Sequence, residues 1–275
     1  MSAVASSGAT RELVDPFRLA AADAIPRRPR LLSHVGRWGR ARRWLPAGAM
    51  RLLDVGCAFG YGSAAVVAPG PTGRVIVGVE RDPELLARAR RDFPWLPVID
   101  ADARALPVAD SCADAVLLLD VVEHMSDPRS ALAEAHRVLR PGGTVIVGVP
   151  HRGPSSALDA GNLYDALRRR RPAWPALDGM AASDDSHHHF TVSELEALLD
   201  PLFTVDRVAR TGIGSQELVN LAILILRGPM RAPRAAAALM PLHLLLYILD
   251  DLLPTGRHAY HLAVRARSTK RSEAA

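Results

Sequence analysis

Four acids in this chain sit where they could together hold one hydroxyl-rich ligand. Asp54 closes an apolar run and leads into small residues, Leu52 to Gly62 reading LLDVGCAFGYG. Small residues let a ligand approach the backbone closely, and the helix that such a turn must open favours an anionic group at its N-terminus. Glu80 ends the next apolar run, where a carboxylate can accept two hydrogen bonds from a ribose diol. Asp102, with Ala103 beside it, follows at the same edge and can accept from an adenine amino group. Asp120 ends a further run. Loops have no general need of acids at successive strand ends. A dinucleotide-binding turn would read G-x-G-x-x-G. Counted from Gly56, Ala58 and Tyr61 occupy the second and third glycine positions, so that pattern fails.

A second set of residues could move a proton. His124 lies just past the run that ends at Asp120, His151 lies just past the following strand, and His187, His188 and His189 stand in a row. An acceptor oxygen or nitrogen of high pKa needs such a base. His124, His151 and His189 are the candidates carried forward.

The elements that must position these groups alternate. Met50–Val55, Val75–Val79, Ala113–Leu119 and Thr144–Val149 are short apolar runs of the kind that form buried parallel strands. Asp82-Pro83-Glu84 and Asp127-Pro128 open helices with a cap and an N-terminal proline. Arg140-Pro-Gly-Gly is expected to close the second of these. Thr191-Val-Ser-Glu194 is a capping box for a helix through Leu199, and Phe203–Arg210 and Tyr260–Arg267 read as late strands. This rhythm predicts an α/β doubly wound, mostly parallel sheet with helical insertions.

The 275 residues allow one such domain with insertions, and with 49% apolar residues a large core can be buried. Residues 1–45 read as a disordered start and a basic helix, with Leu31, Leu32, Val35, Trp38 and Trp44 on its apolar side. The main domain spans 46–267, with a lid-like insertion at 151–190 and an apolar helical one at 214–257. Residues 268–275 form a tail. Two cysteines without metal-ligand spacing, and no apolar leader at Met1–Thr10, fit a reducing cytoplasm. The net charge of +5 is concentrated at the start, where residues 1–48 hold nine arginines against three acids. Such a segment suits nucleic acid, an anionic membrane surface, an acidic partner or a solvated face near the domain.

As a set, these motifs resemble class I S-adenosylmethionine-dependent methyltransferases. The likeness runs through Leu52–Gly62, Gly78–Asp82, Asp102 with Leu106–Asp110, Leu119–His124 and Ala133–Gly148, and covers roughly residues 45–210 plus the last strand. It implies seven strands in the order 3-2-1-4-5-7-6 with the last antiparallel, and S-adenosylmethionine as cosubstrate. It further implies that Asp54, Gly56 and Gly60 cradle the methionine portion, that Glu80 takes the ribose and that Asp102 takes the adenine, with Ala103 and Asp120 completing the site. Ala58 stands where the family usually has glycine. Glu123-His124 is similar to a pair with which some relatives bind a divalent metal, but Asp120 is shorter than their glutamate and no metal is expected.

The expected reaction is in-line methyl transfer to an oxygen or nitrogen, before a carbon, of a small-molecule or lipid-linked acceptor. Leu218–Leu226 and Ala235–Leu253 fall short of the ~20 residues a bilayer span needs. They are expected to extend the core, to form a homodimer interface, or to rest on an anionic membrane from the cytoplasmic side. A nucleic-acid substrate is not expected, because no appended binding module is visible. The alternatives are a nicotinamide-dependent oxidoreductase and a non-catalytic binding module of the same fold.

Overall fold

The six segments read as strands, joined by a short one for which the sequence reading set no range, form one seven-stranded sheet in the computed structural model, which describes residues 13–18, 35–67, 73–175 and 187–271. The strands are β1 (Arg51–Val55), β2 (Val75–Glu80), β3 (Val98–Asp100), β4 (Ala113–Leu119), β5 (Leu139–Pro150), β6 (Phe203–Thr211) and β7 (His261–Ser268). Their order across the sheet is β3-β2-β1-β4-β5-β7-β6. β1 pairs parallel with β2 and β4, β2 with β3, and β4 with β5. β7 alone runs against its neighbours, pairing antiparallel with both β5 and β6. The order and the reversed strand are those that the family resemblance implies.

Side chains alternate between the two faces of the sheet, and each face is covered. Leu53, Val77, Val116 and Val147 pack with Leu132 and Ala135 of α4 (Pro128–Val138) and with Leu195 of α6 (Val192–Leu199). Leu52, Ile76, Leu117 and Ile146 pack on the other face, against α1 (Gly36–Trp44) and α2 (Tyr61–Val67). Side-chain caps fix where the helices begin. Asp82 accepts from two amides at the start of α3 (Pro83–Asp92), Asp127 caps α4, and Thr191 with Glu194 forms the expected capping box on α6. Each cap contributes about 1 kcal/mol.

Two expectations change. The Arg140-Pro-Gly-Gly segment does not close α4, which ends at Val138, but opens β5. Leu139 pairs with Ala113 and Thr144 with Ala115, so the glycine-containing segment is the excess length of an irregularity in the ladder. The apolar insertion forms two packed helices, α7 (Ser215–Arg227) and α8 (Pro233–Leu252). Pro233 at its first turn brings α8 to 20 residues, long and apolar enough to cross a membrane by length and composition alone. Between β5 and α6 lies α5 (Ala160–Arg170). The basic helix expected from residue 31 is described from residue 35 onward. The first residues of the start expected to be disordered, residues 176–186 of the lid-like insertion and residues 272–275 of the tail lie outside the described residues.

Candidate active site

The ends of β1, β2, β3 and β4 frame a cavity of about 550 Å³. That size suits a drug-sized ligand, and the place is where open α/β sheets bind theirs. Gly56, Ala58, Glu80, Asp102, Ala103, Asp120 and His124 all lie on its wall. Asp54 and Gly60, also expected there, are not among its lining residues.

The turn after β1 is held by main-chain bonds: the Gly56 and Cys57 amides both donate to the Val79 carbonyl, at 2.8 and 3.0 Å. Gly56 has φ +76°, and a Cβ there would lie 2.3 Å from the Val121 side chain. Both facts demand glycine. Ala58 also has positive φ, +48°, where an L side chain is strained by about 1 kcal/mol or more. Ala58→Gly is therefore expected to raise stability by about 0.5–1 kcal/mol in urea denaturation, with cofactor affinity kept. A loss of stability would show that the methyl group is packed rather than tolerated.

The Glu80 carboxylate is fixed in advance. Its Oε2 accepts from the Ala58 amide at 3.0 Å, and its Oε1 from the Arg81 and Asp82 amides at 2.8 and 3.0 Å. Carboxylate oxygens keep further lone pairs, so the group can still accept from a diol. Asp102 is held by Arg104, through the amide at 2.8 Å and the guanidinium at 2.9 and 2.8 Å. That hydrogen bonding keeps its carboxyl well below the usual range despite partial burial. No spacing in the sequence announced this Arg104 clamp. Asp54 is 5% exposed and accepts the Ser63 hydroxyl at 2.5 Å. Burial pushes its carboxyl up to about 6, against the Ser63 hydrogen bond.

Asp120 closes the other side in a left-handed conformation, φ +57°, and forms an ion pair with Arg37 of α1. The Arg37 amide also donates to the Tyr247 hydroxyl of α8, at 3.2 Å. Arg40, one turn along α1, pairs with Asp251 among buried groups. Part of the basic leader thus turns inward, with Arg37 beside the cavity.

The three candidate bases fall in different places. His124 is on the cavity wall, and its Nδ1 is buried without a hydrogen-bond partner among the described residues. Burial, then the nearby His187, push its pKa down to about 4. His151 is buried at the end of β5 with Nδ1 3.2 Å from the Ala259 carbonyl, and is not on the cavity wall. His189 points Nε2 at Asp159 from 3.1 Å. Asp159, Glu217, Tyr260 and Arg37 complete this buried polar cluster, and sequence reading passed over all four. Glu123 lies there too, 2% exposed, with Oε2 unpartnered among the described residues. Burial, then the charge of Asp120, push its carboxyl well up.

A family model described as a methyltransferase domain matches residues 53–147. The demethylmenaquinone methyltransferase of Renibacterium salmoninarum is 30% identical over 194 residues, covering 66% of this chain and 78% of that protein. The chain belongs to the S-adenosylmethionine-dependent methyltransferases. An uncharacterized 37.1 kDa protein of a Streptomyces fradiae transposon is 40% identical over 102 residues, 36% of this chain and 29% of that one. The chain spans about a third of the length of the first curated relatives it matches, 29 to 38%. Among solved structures, an S-adenosylmethionine-dependent methyltransferase of Mesorhizobium loti superposes with a TM-score of 0.51 at 19% identity. That match covers 86% of this chain and 97% of the other, and it shows the fold. S-adenosylmethionine is the cosubstrate that membership of this family implies. The residues fit it: a glycine-lined approach at Gly56 and a preset carboxylate at Glu80 border one cavity at the strand ends.

Proposed function

We propose that the protein transfers the methyl group of S-adenosylmethionine to an oxygen or nitrogen of an amphipathic acceptor, its polar end beside Asp120 and His124. The observation that carries this reading is the Glu80-bordered cavity, whose wall passes from Ala103 to His124 and meets the buried polar cluster. In this reading Glu80 binds the ribose, Asp102 and Ala103 the adenine, and Asp54, Gly56 and Gly60 the methionine portion. The sulfonium methyl is already electrophilic. The protein's contribution is to hold the acceptor in line with it, which can supply up to ~7–11 kcal/mol.

The acceptor's apolar part would lie toward α8. Leu242, Leu245, Leu249 and Leu252 recur every three or four residues, and all are 46 to 65% exposed. Among the apolar residues of α7 and α8 only Ile223, Ala236 and Tyr247 are buried, so this hairpin is not a simple extension of the core. Tyr247 links the hairpin to Arg37, and Arg37 to Asp120. Exposed Arg227, Arg231 and Arg234 flank the turn between the helices, and each can contribute about 1 kcal/mol near an anionic surface. Relatives named demethylmenaquinone methyltransferase and ubiquinone biosynthesis O-methyltransferase support a quinone-type acceptor.

Thermal melts test the cofactor. S-adenosylhomocysteine at a hundred times its Kd should add about 2.7 kcal/mol of stability, and NAD none. Glu80→Ala should weaken that binding by about 1.5–3 kcal/mol. A shift with NAD alone would overturn the reading. Flotation tests the surface separately: the protein should rise with anionic vesicles at low salt, and Leu245→Glu with Leu249→Glu should stay below. If the wild type stays below with anionic and neutral vesicles alike, the membrane part is wrong and the cofactor result stands.

A further inference from the structure

Four donors converge on one buried carboxylate beside the cavity. Asp159 caps α5 and its side chain is 1% exposed. Its Oδ1 accepts the Asn162 amide at 2.8 Å. Its Oδ2 lies 3.1 Å from the Tyr260 hydroxyl, 3.1 Å from His189 Nε2 and 3.3 Å from His187 Nδ1. An ionised carboxylate only accepts, so the ring hydrogens that face it must sit on Nδ1 of His187 and Nε2 of His189. In a neutral His187 ring, Nε2 is then a bare lone pair. That ring stands edge-on to His124, with centroids 4.6 Å apart at 80°, and His124 is part of the cavity wall.

We propose that His187 is the base that takes the proton of a hydroxyl acceptor, with Asp159 as the positioning residue that sets its tautomer. The inference rests on the methyltransferase reading and deepens it by naming the acceptor class. As the acceptor oxygen bonds to the methyl carbon, its O–H bond breaks and the proton goes to Nε2 of His187. The carbon–sulfur bond breaks with its electron pair going to sulfur, which leaves a neutral thioether. The imidazolium so formed is paired with Asp159, and its partly exposed ring can return the proton to water. A neutral amine attacks through its own lone pair and has no need of this base at the moment of transfer. A phenol or enol does.

The surroundings favour His187 over its neighbours. It is faced by Asp159 of α5, by Asp120 and His124 after β4 and by Glu217 of α7, and it shares the Asp159 carboxylate with His189 of its own segment and Tyr260 before β7. Burial pulls its pKa down, but the Asp159 hydrogen bond and charge, helped by Asp120 and Glu217, leave it above the ordinary value. A base poised near the working pH is the effective kind. His124, held neutral by burial, is the weaker base and does not compete for the proton.

Nitrogen-15 spectra of the histidines, in the full chain with S-adenosylhomocysteine, test the pair directly. His187 should show Nδ1–H and a bare Nε2 above its pKa, and Asp159→Asn should lower that pKa and mix the tautomers. A proton on Nε2, or no response to Asp159→Asn, would overturn the proposal. Tritiated S-adenosylmethionine with total lipid extract as acceptor source gives the catalytic readout. Wild-type labelling should rise with pH and level off. His187→Gln should lose that limb and about 10²–10⁴-fold in rate, with its fold and cofactor affinity kept. His187→Gln within threefold of wild type would also overturn it. If S-adenosylhomocysteine does not bind, the methyltransferase reading fails, while the spectra still decide whether Asp159 sets the His187 tautomer.

Discussion

Asp159→Ala is expected to cost about 3–5 kcal/mol of stability near neutral pH, the effect of removing one partner from a buried charged network. The loss has two parts. The cap on α5 disappears, because Asp159 Oδ1 accepts the Asn162 amide there, and a lost cap costs about 1 kcal/mol. The remainder comes from the Tyr260 hydroxyl and two imidazole N–H groups left without their acceptor. The pH dependence has a defined sign. Burial opposes the Asp159 charge, but hydrogen bonds from His187, His189 and Asn162 hold its carboxyl well below the usual range. Its contribution is therefore complete above the unfolded carboxylate pKa of about 3.9 and fades only as pH falls below that value. His187, whose pKa is raised, adds stability below about 6.5 that is lost as pH rises through its folded pKa. The gap between wild type and Asp159→Ala should be widest between these limits. Urea denaturation from pH 3 to pH 9 measures it. A gap under 1 kcal/mol at pH 6 would mean that the cluster is open to water and that Asp159 organises little.

The frame of this site was legible in the sequence because strand ends announce themselves. An apolar run that stops at an acid marks both the strand and its carboxyl edge. Asp54, Glu80 and Asp120 fall at or next to the ends of β1, β2 and β4, and Asp102 just past β3. The capping residues Asp82, Asp127 and Thr191 were equally plain, since a cap acts within three residues of itself. What escaped was whatever depends on contacts between distant segments. Arg37 reaches Asp120 across 83 positions, and Tyr260 reaches Asp159 across 101. Neither residue sits in a local pattern that differs from an ordinary helix or strand end. Arg37 even misled, because its charge read as part of a solvated basic leader. His151 shows the converse. Its place after β5 resembles that of a catalytic group, yet its ring is buried against the Ala259 carbonyl. The reach of α8 was also hidden, because composition registers its leucines and not which of them stay exposed.

Asp54→Asn is expected to raise the stability of the ligand-free protein at pH 8 while weakening its hold on the cofactor. Asp54 is buried under the turn after β1, with the Ser63 hydroxyl as its side-chain partner. Burial raises its pKa to about 6, the Ser63 hydrogen bond opposes this, and the charge of Glu80 adds to it. A carboxyl whose folded pKa is raised above about 3.9 favours the folded state below that value, and the benefit is lost as pH rises through 6. Two pKa units correspond to about 3 kcal/mol, so the ligand-free wild type carries a penalty of that order above pH 7. Asparagine keeps an oxygen for Ser63 and carries no charge, so the variant should be up to ~3 kcal/mol more stable at pH 8 and no more stable at pH 4. In the proposed reading the same charge would be useful once a ligand arrives. An ammonium group in the cradle formed by the β1 turn would stabilise the carboxylate, so wild-type affinity for S-adenosylhomocysteine should strengthen as pH rises through 6. In Asp54→Asn that rise should flatten, and affinity at pH 8 should fall by about 1.5–3 kcal/mol, the range of a charge-assisted hydrogen bond. Calorimetry and urea denaturation on the same two proteins separate the outcomes. Equal stability of the pair at pH 8 would show that Asp54 is better solvated than its burial implies. A pH-independent affinity in the wild type would place the ligand's ammonium away from this turn.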